Sequence, residues 1–418
     1  MARDQLHDQI MPLGTMGQYR RDVGLRRSQL VVVWLIGAAV ILPNATIAPA
    51  IPDIADAFGI SDQTSVFILM TAHAPGLFMA SVIGVAADRY GRRRIIVPCL
   101  LVFGLGGLVI MASTNLAMLL TFRFIQGLGS SGFLSLALVI IGDNYDGVER
   151  TRIIGQNALS MNFSVALLPA AGGLLTELFG WRGPFALHAF TILLALFAAT
   201  LLPPDERRTP EPLRHQLRQA RPHLMQREVG VLLLVAPFTF LVFFSVGITT
   251  MPIHLENEFG ASAGIRGLIQ SLPAVTAGLI ALSMGRIASR HSISTMVRAG
   301  YIGFVICLTG MALSPSLAVI IAPVLVLGAA DQLVVVPLQS RAASLAPEEH
   351  RAVMVAAWGT AIRIGQVSGP AVVAGLLAVG NTRLVLWGAA ALSAAMLIFV
   401  TFVRTYIDRE PAFRSAPG

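Results

Sequence analysis

Apolar runs of about 20 residues alternate with short polar or turn-rich stretches along almost the whole chain. A hydrocarbon core of roughly 30 Å is crossed by about 20 helical residues, so each run predicts one transmembrane helix. The runs are continuously apolar, which favours helices over the shorter, alternating strands of a membrane barrel. Twelve such runs are found, and we number them as spans 1 to 12, at residues 29–51, 64–86, 95–113, 116–141, 153–176, 184–202, 229–250, 263–285, 296–314, 316–341, 351–378 and 383–404.

The composition agrees with this pattern. The chain has 418 residues, a mean hydropathy of +0.73 and only 12% charged residues, whereas soluble proteins average about 25%. The predicted fold class is therefore an all-α membrane protein of twelve transmembrane helices. Residues 1–28 carry arginines and acids but no apolar stretch with a small-residue cleavage site, so we expect a cytoplasmic tail and not a cleavable signal peptide.

The orientation follows from arginine, which supplies all 30 basic side chains. If residue 1 is cytoplasmic, 25 arginines fall in the tails and the loops on that side. The positive-inside rule then predicts that both termini face the cytoplasm, in a multi-pass protein of the cell inner (plasma) membrane. The net charge of +8 thus reports topology and indicates no nucleic-acid partner. The expected partners are the lipid bilayer and a small-molecule substrate, and we expect a monomer.

A polar, proline-rich stretch at 203–228 divides the spans six and six. It predicts a first six-helix bundle at 29–202, a second at 229–404 and a cytoplasmic tail at 405–418. The two bundles are related by a constant offset of 201 residues, which pairs Gly84 with Gly285, Arg89 with Arg290, Gly127 with Gly328, Arg150 with Arg351, Pro169 with Pro370 and Arg182 with Arg383. Compositional coincidence is the alternative, but all six identities lie at helix ends or packing positions. Duplicated bundles suit alternating access around a midplane site, which predicts a transporter.

The stretch GVAADRYGRRR, residues 84–94, lies between spans 2 and 3. It resembles the signature of the major facilitator superfamily, a family of twelve-helix transporters made of two pseudo-symmetric bundles. The matching positions are Gly84, Asp88, Arg89, Gly91, Arg92 and Arg93. The resemblance covers essentially the whole chain, because the helix count, the central linker and the repeat also agree.

The resemblance implies a gating role for this loop. In the family, the equivalent acid contacts the start of span 11 and nearby arginines, and so latches the two bundles on the cytoplasmic side. For this chain that implies a latch from Asp88 to the start of span 11, where Arg351 lies in the first turn. The alternative is a loop that only sets topology. Ser289 stands at the place of the acid in the second bundle, so a latch would be one-sided.

Two further motifs resemble the twelve-helix drug:proton antiporters of bacteria. In span 4, Arg123, Gln126, Gly127 and Gly129 resemble a motif whose intramembrane arginine takes part in proton coupling. In span 5, Pro169, Gly172 and Gly173 resemble an antiporter motif that bends and packs the helix. The second match is partial, because Ser164 and Leu168 stand where that motif has glycine.

Two charges lie deep in the second bundle. Asp331 in span 10 and Arg363 in span 11 are at similar depths, so they can meet. A permanent pair would be a structural clamp. If substrate or a second carrier state separates them, Asp331 would become the proton-coupling site. His73 in span 2 is a further proton-coupling candidate, because imidazole titrates near neutral pH, although it could equally be a hydrogen-bonded packing residue.

The function that fits best is a proton-coupled exporter of amphipathic organic molecules, with no enzyme activity, metal or cofactor. The alternatives are a proton-coupled importer of a polar or anionic metabolite and a non-transporting membrane sensor or scaffold. Since no ATP-binding motif is found, the expected energy source is the proton gradient. Neutral polar residues of the spans that could contact substrate are Asn44, Gln126, Asn162, Gln270, Gln332 and Gln366.

Overall fold

The computed structural model describes residues 24–203, 222, 224–345 and 351–409. Most of the predicted N-terminal tail, the centre of the linker, the segment 346–350 and residues 410–418 therefore lie outside the described residues. Within the described part the chain is helical throughout and contains no strand. Ten helices are long and apolar enough to cross a membrane, and two bent helix pairs bring the number of spans to twelve. The predicted fold class is confirmed.

Each span occupies the place that the hydropathy pattern predicts. From here on, spans 1 to 12 denote the helices of the structure. Their bounds are Arg27–Ala39 with Leu42–Phe58, Asp62–Tyr90, Arg92–Ile110, Leu116–Asn144, Gly147–Phe179, Gly183–Leu201, Arg227–Phe259, Ala263–Ala288, Ile293–Leu313, Leu317–Ser344, Arg351–Leu377 and Thr382–Phe402. Span 1 bends by 47° between its two helices. Pro43 lies just after the bend and Pro49 one and a half turns further on, where the missing N–H groups weaken the helical ladder.

Span 1 begins, and spans 6 and 12 end, on one membrane face, which we call the terminal face. There, Gln29 at the start of span 1 donates a 2.8 Å hydrogen bond to the carbonyl oxygen of Leu201 at the end of span 6. Asp408, just after span 12, accepts hydrogen bonds of 2.9 and 2.6 Å from the backbone and hydroxyl of Ser294 in span 9. The opposite side of the membrane is called the distal face.

Buried apolar side chains form three clusters. One contains only residues of spans 1 to 6 and their connections, and a second contains only residues of spans 7 to 12 and the short helix that follows. The third joins the two halves near the distal face, where Ile51 and Trp181 of the first half meet Ile253 and Val373 of the second. Each half thus has its own core, and apolar contact between the halves is concentrated on the distal side. The exact limits of the two bundles stay a prediction.

Close backbone approaches recur at the 201-residue offset. A Cβ atom on Gly127 of span 4 would lie 2.6 Å from the carbonyl oxygen of Ala72 in span 2. Its counterpart Gly328 would meet the carbonyl oxygen of Pro273, which is Ala72 shifted by 201 positions. Gly129 approaches the carbonyl oxygen of Cys99 in span 3 just as closely. These glycines let neighbouring helices pack backbone to backbone, as the packing motif of span 4 predicts.

The two halves touch along two seams, one between spans 5 and 8 and the other between spans 2 and 11. In the first seam, a Cβ atom on Gly173 would meet the carbonyl oxygen of Ala263, and one on Gly267 would meet that of Pro169. The amide of Ala170 also donates a 3.2 Å hydrogen bond to Ser271 Oγ. Gly172, beside them, packs instead against the Thr46 carbonyl oxygen of span 1 within the first half. The antiporter-like motif of span 5 therefore lies at a crossing between the halves.

The same seam is open toward the terminal face. Gly155 lies 18 residues before Gly173, and Gly285 lies 18 residues after Gly267, which is five full helical turns in each case. The two pairs therefore share one face of span 5 and one face of span 8. Yet a Cβ atom on Gly155 or on Gly285 would meet nothing within 4 Å. The helix faces that touch at the distal crossing are thus not in contact at these two positions, which indicates a cleft between the halves that opens at the terminal face.

Replacement of Gly173 by valine tests this crossing. We expect the added side chain to push Ala263 away, because overpacking costs about 1–3 kcal/mol, and a bias of that size changes the ratio of two conformations by roughly 5- to 150-fold. Spin labels on the exposed residues Ala57 and Val379 should then report a longer distance across the distal face. Gly155→Val is the matched control on the same helix face and should leave that distance unchanged. Equal distances in both variants would contradict the crossing.

Candidate transport site

A fully buried guanidinium group organises the interior of the first half. Arg123 lies seven residues into span 4, and its side chain is 0% exposed. Its three nitrogen atoms donate hydrogen bonds to the Ile68 carbonyl oxygen at 3.1 Å, to Gln126 Oε1 at 3.1 Å and to Asn44 Oδ1 at 2.8 Å. All three acceptors are neutral. The structure therefore holds this cation with dipoles of spans 1, 2 and 4 and not with an acid.

Two histidines extend this arrangement into a network. Asn44 Nδ2 lies 2.8 Å from His73 Nδ1, and Gln126 Nε2 lies 2.8 Å from His188 Nδ1. His188 Nε2 in turn lies 3.2 Å from the hydroxyl of Thr46. We call these six residues the Arg123 network, which consists of His73, Asn44, Arg123, Gln126, His188 and Thr46. It joins spans 1, 2, 4 and 6 through side chains alone.

His188 and Thr46 were not among the residues predicted from sequence. His188 lies only four residues after the predicted start of span 6, so hydropathy placed it near a membrane surface. In the structure its side chain is fully buried, and its ring stacks at a tilt on Phe103 with centroids 4.9 Å apart. The sequence signal that could have identified His188 is a histidine within the first turns of an apolar helix, because such a side chain needs a polar partner.

Asp331 is the deep acid of the second half. It lies midway along span 10, and its Oδ1 atom is buried without a hydrogen-bond partner among the described residues. No ion pair with Arg363 is formed. The expectation that these two charges meet is therefore not met in this conformation. Similar depth alone does not bring two side chains together, because contact also depends on the rotation of each helix about its axis.

The position of Asp331 mirrors that of Arg123. The 201-residue offset maps Arg123 onto Val324, which is buried in the core of the second half. Asp331 lies seven residues further along span 10, nearly two helical turns, so it shares a face with Val324. Spans 4 and 10 thus each carry a deep charge on an equivalent face, a cation in span 4 and, nearly two turns further along, an acid in span 10.

Arg363 lies in the other seam between the halves. Its Nη1 atom donates a 2.9 Å hydrogen bond to the carbonyl oxygen of Gly76, midway along span 2. Gly76 is one turn from His73, whose ring meets Phe244 of span 7 edge-on at 5.4 Å. Arg363, His73 and Phe244 therefore bring spans 2, 7 and 11 together.

The neutral polar candidates divide between packing and cleft positions. Gln270 donates a 3.0 Å hydrogen bond to the Gly247 carbonyl oxygen, and its Oε1 atom is buried without a partner among the described residues. Asn162 is exposed on the face of span 5 that also carries Gly155 and Gly173, so it faces the cleft. Gln332 and Gln366 are half-buried. Which of these residues contact a substrate stays a prediction.

The contacts described for the loop between spans 2 and 3 lie within the first half. Gly91 has φ = 106°, a left-handed conformation that favours glycine and permits the one-residue turn. Asp88 forms a 2.7 Å ion pair with Arg92, which also contacts Asp143 at 3.1 Å. Arg93 donates to the Leu202 carbonyl oxygen at 3.3 Å. The loop is thereby fixed to its own half.

The remaining members of the gating motif are only partly described. Arg89 lies over the ring of Tyr90 at 5.4 Å, and Gly84 faces open space. The side chain of Arg351 lies outside the described part of the chain. The predicted latch from Asp88 to the start of span 11 stays a prediction for a conformation with the terminal face closed.

Charged and polar contacts close the distal face instead. Arg266, at the start of span 8, is 2% exposed and pairs with Asp53 of span 1 and Glu256 of span 7. Glu177 of span 5 accepts hydrogen bonds from the Gly264 amide at 2.9 Å and from a neighbouring hydroxyl. Asn257 of span 7 donates to Asp62 of span 2 at 2.7 Å. We call this set of contacts the distal cluster.

The distal cluster was not predicted from the sequence. The signal was present, since Asp53, Glu256 and Arg266 are all predicted near the same membrane face. Their pairing depends on how the two halves pack, which span prediction does not provide.

Comparison with known proteins agrees with this fold. The family model described as Major Facilitator Superfamily matches residues 33–250 and 233–417. The protein belongs to the major facilitator superfamily. As a member it is a membrane transporter and not an enzyme, and the resemblance inferred from the loop motif is confirmed.

Curated relatives match part of the chain. A puromycin resistance protein of Streptomyces alboniger is 32% identical over 181 residues, covering 43% of this chain and 36% of that protein. A bacillibactin exporter of Bacillus subtilis is 30% identical over 151 residues, covering 34% and 37% respectively. The chain thus spans little more than a third of the length of either relative.

Among solved structures, a bacterial homolog to the human lysosomal transporter Spinster, described as inward-facing and unoccupied, has a TM-score of 0.71. It is 17% identical, and the similarity covers 92% of this chain and 97% of that one. This likeness concerns the fold of the superfamily and not the substrate.

Replacement of Arg266, the cation of the distal cluster, tests whether this cluster holds the distal face closed. In Arg266→Gln, Asp53 and Glu256 lose the charge that holds them together across the halves. Both acids are more than a third exposed, so the loss should be smaller than the 3–5 kcal/mol of a fully buried pair. We expect roughly several-fold faster labelling of Ala263→Cys by a membrane-impermeant maleimide in a variant lacking Cys99 and Cys307.

Arg383→Gln is the matched control, because Arg383 pairs with Glu258 within the second half alone. It should leave the labelling rate unchanged. Equal labelling rates in wild type and Arg266→Gln would show that the cluster does not hold the distal face closed.

Proposed function

We propose that this transporter exports amphipathic organic molecules in exchange for protons by alternating access. The observation that carries the proposal is Asp331, a carboxyl group deep in the second half whose Oδ1 atom is buried without a partner among the described residues. A group that is unpaired in one state and paired in another takes up a proton in the first and releases it in the second. Asp331 is thus our candidate for the proton site, with the proton as the coupling ion.

Arg363 and the Arg123 network supply the remaining parts of the proposed coupling. Arg363 is the candidate counter-charge for Asp331 in the alternative conformation, when its hydrogen bond to Gly76 is broken. Arg123 and His73 are linked through Asn44, so a change at His73 in the seam would reach the buried cation. We therefore keep all four residues as proton-coupling candidates, with Asp331 first.

Export is supported by the names of the two relatives, one a resistance protein and the other an exporter. It is also supported by the cleft that opens at the terminal face. Under the positive-inside rule this face is cytoplasmic, and a cleft there would take a molecule from the cell interior. We accordingly propose a monomer in the plasma membrane with both termini in the cytoplasm.

The second candidate is a proton-coupled importer of a polar or anionic metabolite. The guanidinium group of Arg363, half-buried in a seam without an acid partner among the described residues, favours this alternative. The polar cleft itself argues against a non-transporting sensor or scaffold, because a scaffold has no need of polar groups inside the bilayer.

Energised dye transport separates export from import. In inverted membrane vesicles that contain the protein, we expect a proton gradient to drive uptake of a fluorescent amphipathic dye, because their lumen corresponds to the outside of the cell. A protonophore should abolish this uptake. Vesicles without the protein provide the baseline. Uptake that a protonophore leaves unchanged would contradict proton-coupled export.

Replacement of Asp331 by asparagine tests the proton site. In proteoliposomes, Asp331→Asn should lose at least about tenfold in gradient-driven transport but retain exchange of labelled for unlabelled substrate, which needs no net proton movement. Asp56→Asn, at an exposed acid near the distal end of span 1, is the matched control and should behave as wild type. Retained gradient-driven transport with an unchanged pH dependence in Asp331→Asn would eliminate this role.

A further inference from the structure

Arg363 lies at the inner end of the cleft, near the middle of the membrane, and we call this end the apex. It is 12 residues from the start of span 11, about 18 Å along the helix axis, and its partner Gly76 lies midway along span 2. Gly359, one turn closer to the terminal face, meets nothing within 4 Å of an added Cβ atom. The side chain of Arg363 is half-buried, so it is within reach of a molecule that enters from that face.

The guanidinium group has most of its hydrogen-bonding capacity unused. Of its five N–H groups, one is satisfied by the Gly76 carbonyl oxygen at 2.9 Å. In the described part of the chain, the group forms no ion pair, and it donates to no other protein acceptor. An arginine at mid-membrane depth is costly unless it has a partner or faces water. The remaining N–H groups of Arg363 are therefore available to donate hydrogen bonds to a molecule that binds at the apex.

Among the described residues, the surroundings of Arg363 add no compensating acid. His73 lies one turn from Gly76 and is bound to Asn44, which in turn accepts from the buried cation Arg123. The deep acid Asp331 forms no ion pair among the described residues. The described side chains at the apex therefore carry a net positive charge.

An aromatic side chain lies against His73, one turn from the glycine that Arg363 contacts. The ring of Phe244 packs edge-on to His73 at 5.4 Å and lies 6.1 Å from the ring of Phe243. Phe244 Cβ is also 3.2 Å from the Cβ position of Gly369, six residues along span 11 from Arg363. Phe244 begins a π-helical segment, Phe244–Thr250, of a kind often found at functional sites. A guanidinium group near an aromatic side chain is suited to an organic molecule that has an apolar part and a carboxylate.

Arg123 does not compete for this role. Its three guanidinium nitrogen atoms already donate to protein acceptors, and the side chain is completely enclosed. The accessible cation of the two is Arg363.

We propose that Arg363 binds the anionic group of the transported molecule, and that the substrates of this transporter are organic carboxylates whose apolar body lies against Phe244. This inference rests on the proposed function only in that the cleft binds an organic solute. It requires neither proton coupling nor a direction of transport.

The test uses three probes with one aromatic body and different charges: 1-pyrenebutyrate, 1-pyrenebutanamide and 1-pyrenebutylamine. Equilibrium binding is measured for the full chain in lipid nanodiscs, with empty nanodiscs subtracted. We expect wild type to bind the carboxylate about tenfold or more tightly than the neutral amide, because charge-assisted bonds to a guanidinium are the stronger ones. The amine should bind most weakly.

Arg363→Gln should remove the preference for the carboxylate, and Arg363→Lys should retain part of it, because it keeps the charge but not the planar fork. Arg404→Gln, at an exposed position on the terminal face, is the control and should keep the full preference. Arg363→Lys also covers the case in which the glutamine variant does not fold.

Equal binding of carboxylate and amide by wild type, absence of carboxylate binding, or an unchanged preference in Arg363→Gln would each overturn the proposal. Failure of the proposed function looks different. If gradient-driven transport is absent but the carboxylate preference depends on Arg363, proton-coupled export is wrong and the anion site stands. If transport is intact without a carboxylate preference, only the anion site is wrong.

Discussion

The contact on which the rest of the structure depends is the crossing of spans 5 and 8 near the distal face. There two helices from different halves approach so closely that a single methyl group on Gly173 or Gly267 would meet backbone of the other helix. The distal cluster is built around this point, and both the cleft and its opening at the terminal face follow from the divergence beyond it. Small residues at such a crossing are the means by which membrane helices gain packing without a hydrophobic driving force.

The second constraint is the low dielectric of the bilayer, which makes each deep charge costly. The protein satisfies it differently in its two halves. In the first half, Arg123 is enclosed by neutral acceptors in a complete network. In the second half, Asp331 and Arg363 are left with unused hydrogen-bonding capacity. In this conformation, and among the described residues, the duplicated plan thus carries a satisfied polar network in the first half and groups with unused hydrogen-bonding capacity in the second half.

The sequence predicted the number, order and depth of the spans because hydropathy and the 1.5 Å rise per residue determine them. It also singled out Arg123, Gln126, Asn44 and His73, four members of one network, without showing that they touch. Depth alone suggested that Asp331 and Arg363 meet. The rotation of each helix about its axis decides such contacts, and this rotation is set by packing between helices that are distant in sequence. For the same reason Arg266 and His188 were missed.

The hydrogen bond from Arg363 to the Gly76 carbonyl oxygen crosses from one half to the other. Any rotation that opens the distal crossing changes the separation of spans 2 and 11, and hence acts on this bond. A carrier with nothing bound would then have to separate the guanidinium group, in the middle of the membrane, from the one acceptor it has among the described residues. A bound anion would travel with the guanidinium and replace the lost acceptor. If Arg363 binds an anion as proposed, the same bond that joins the seam would also act as a brake on futile cycling of the empty protein.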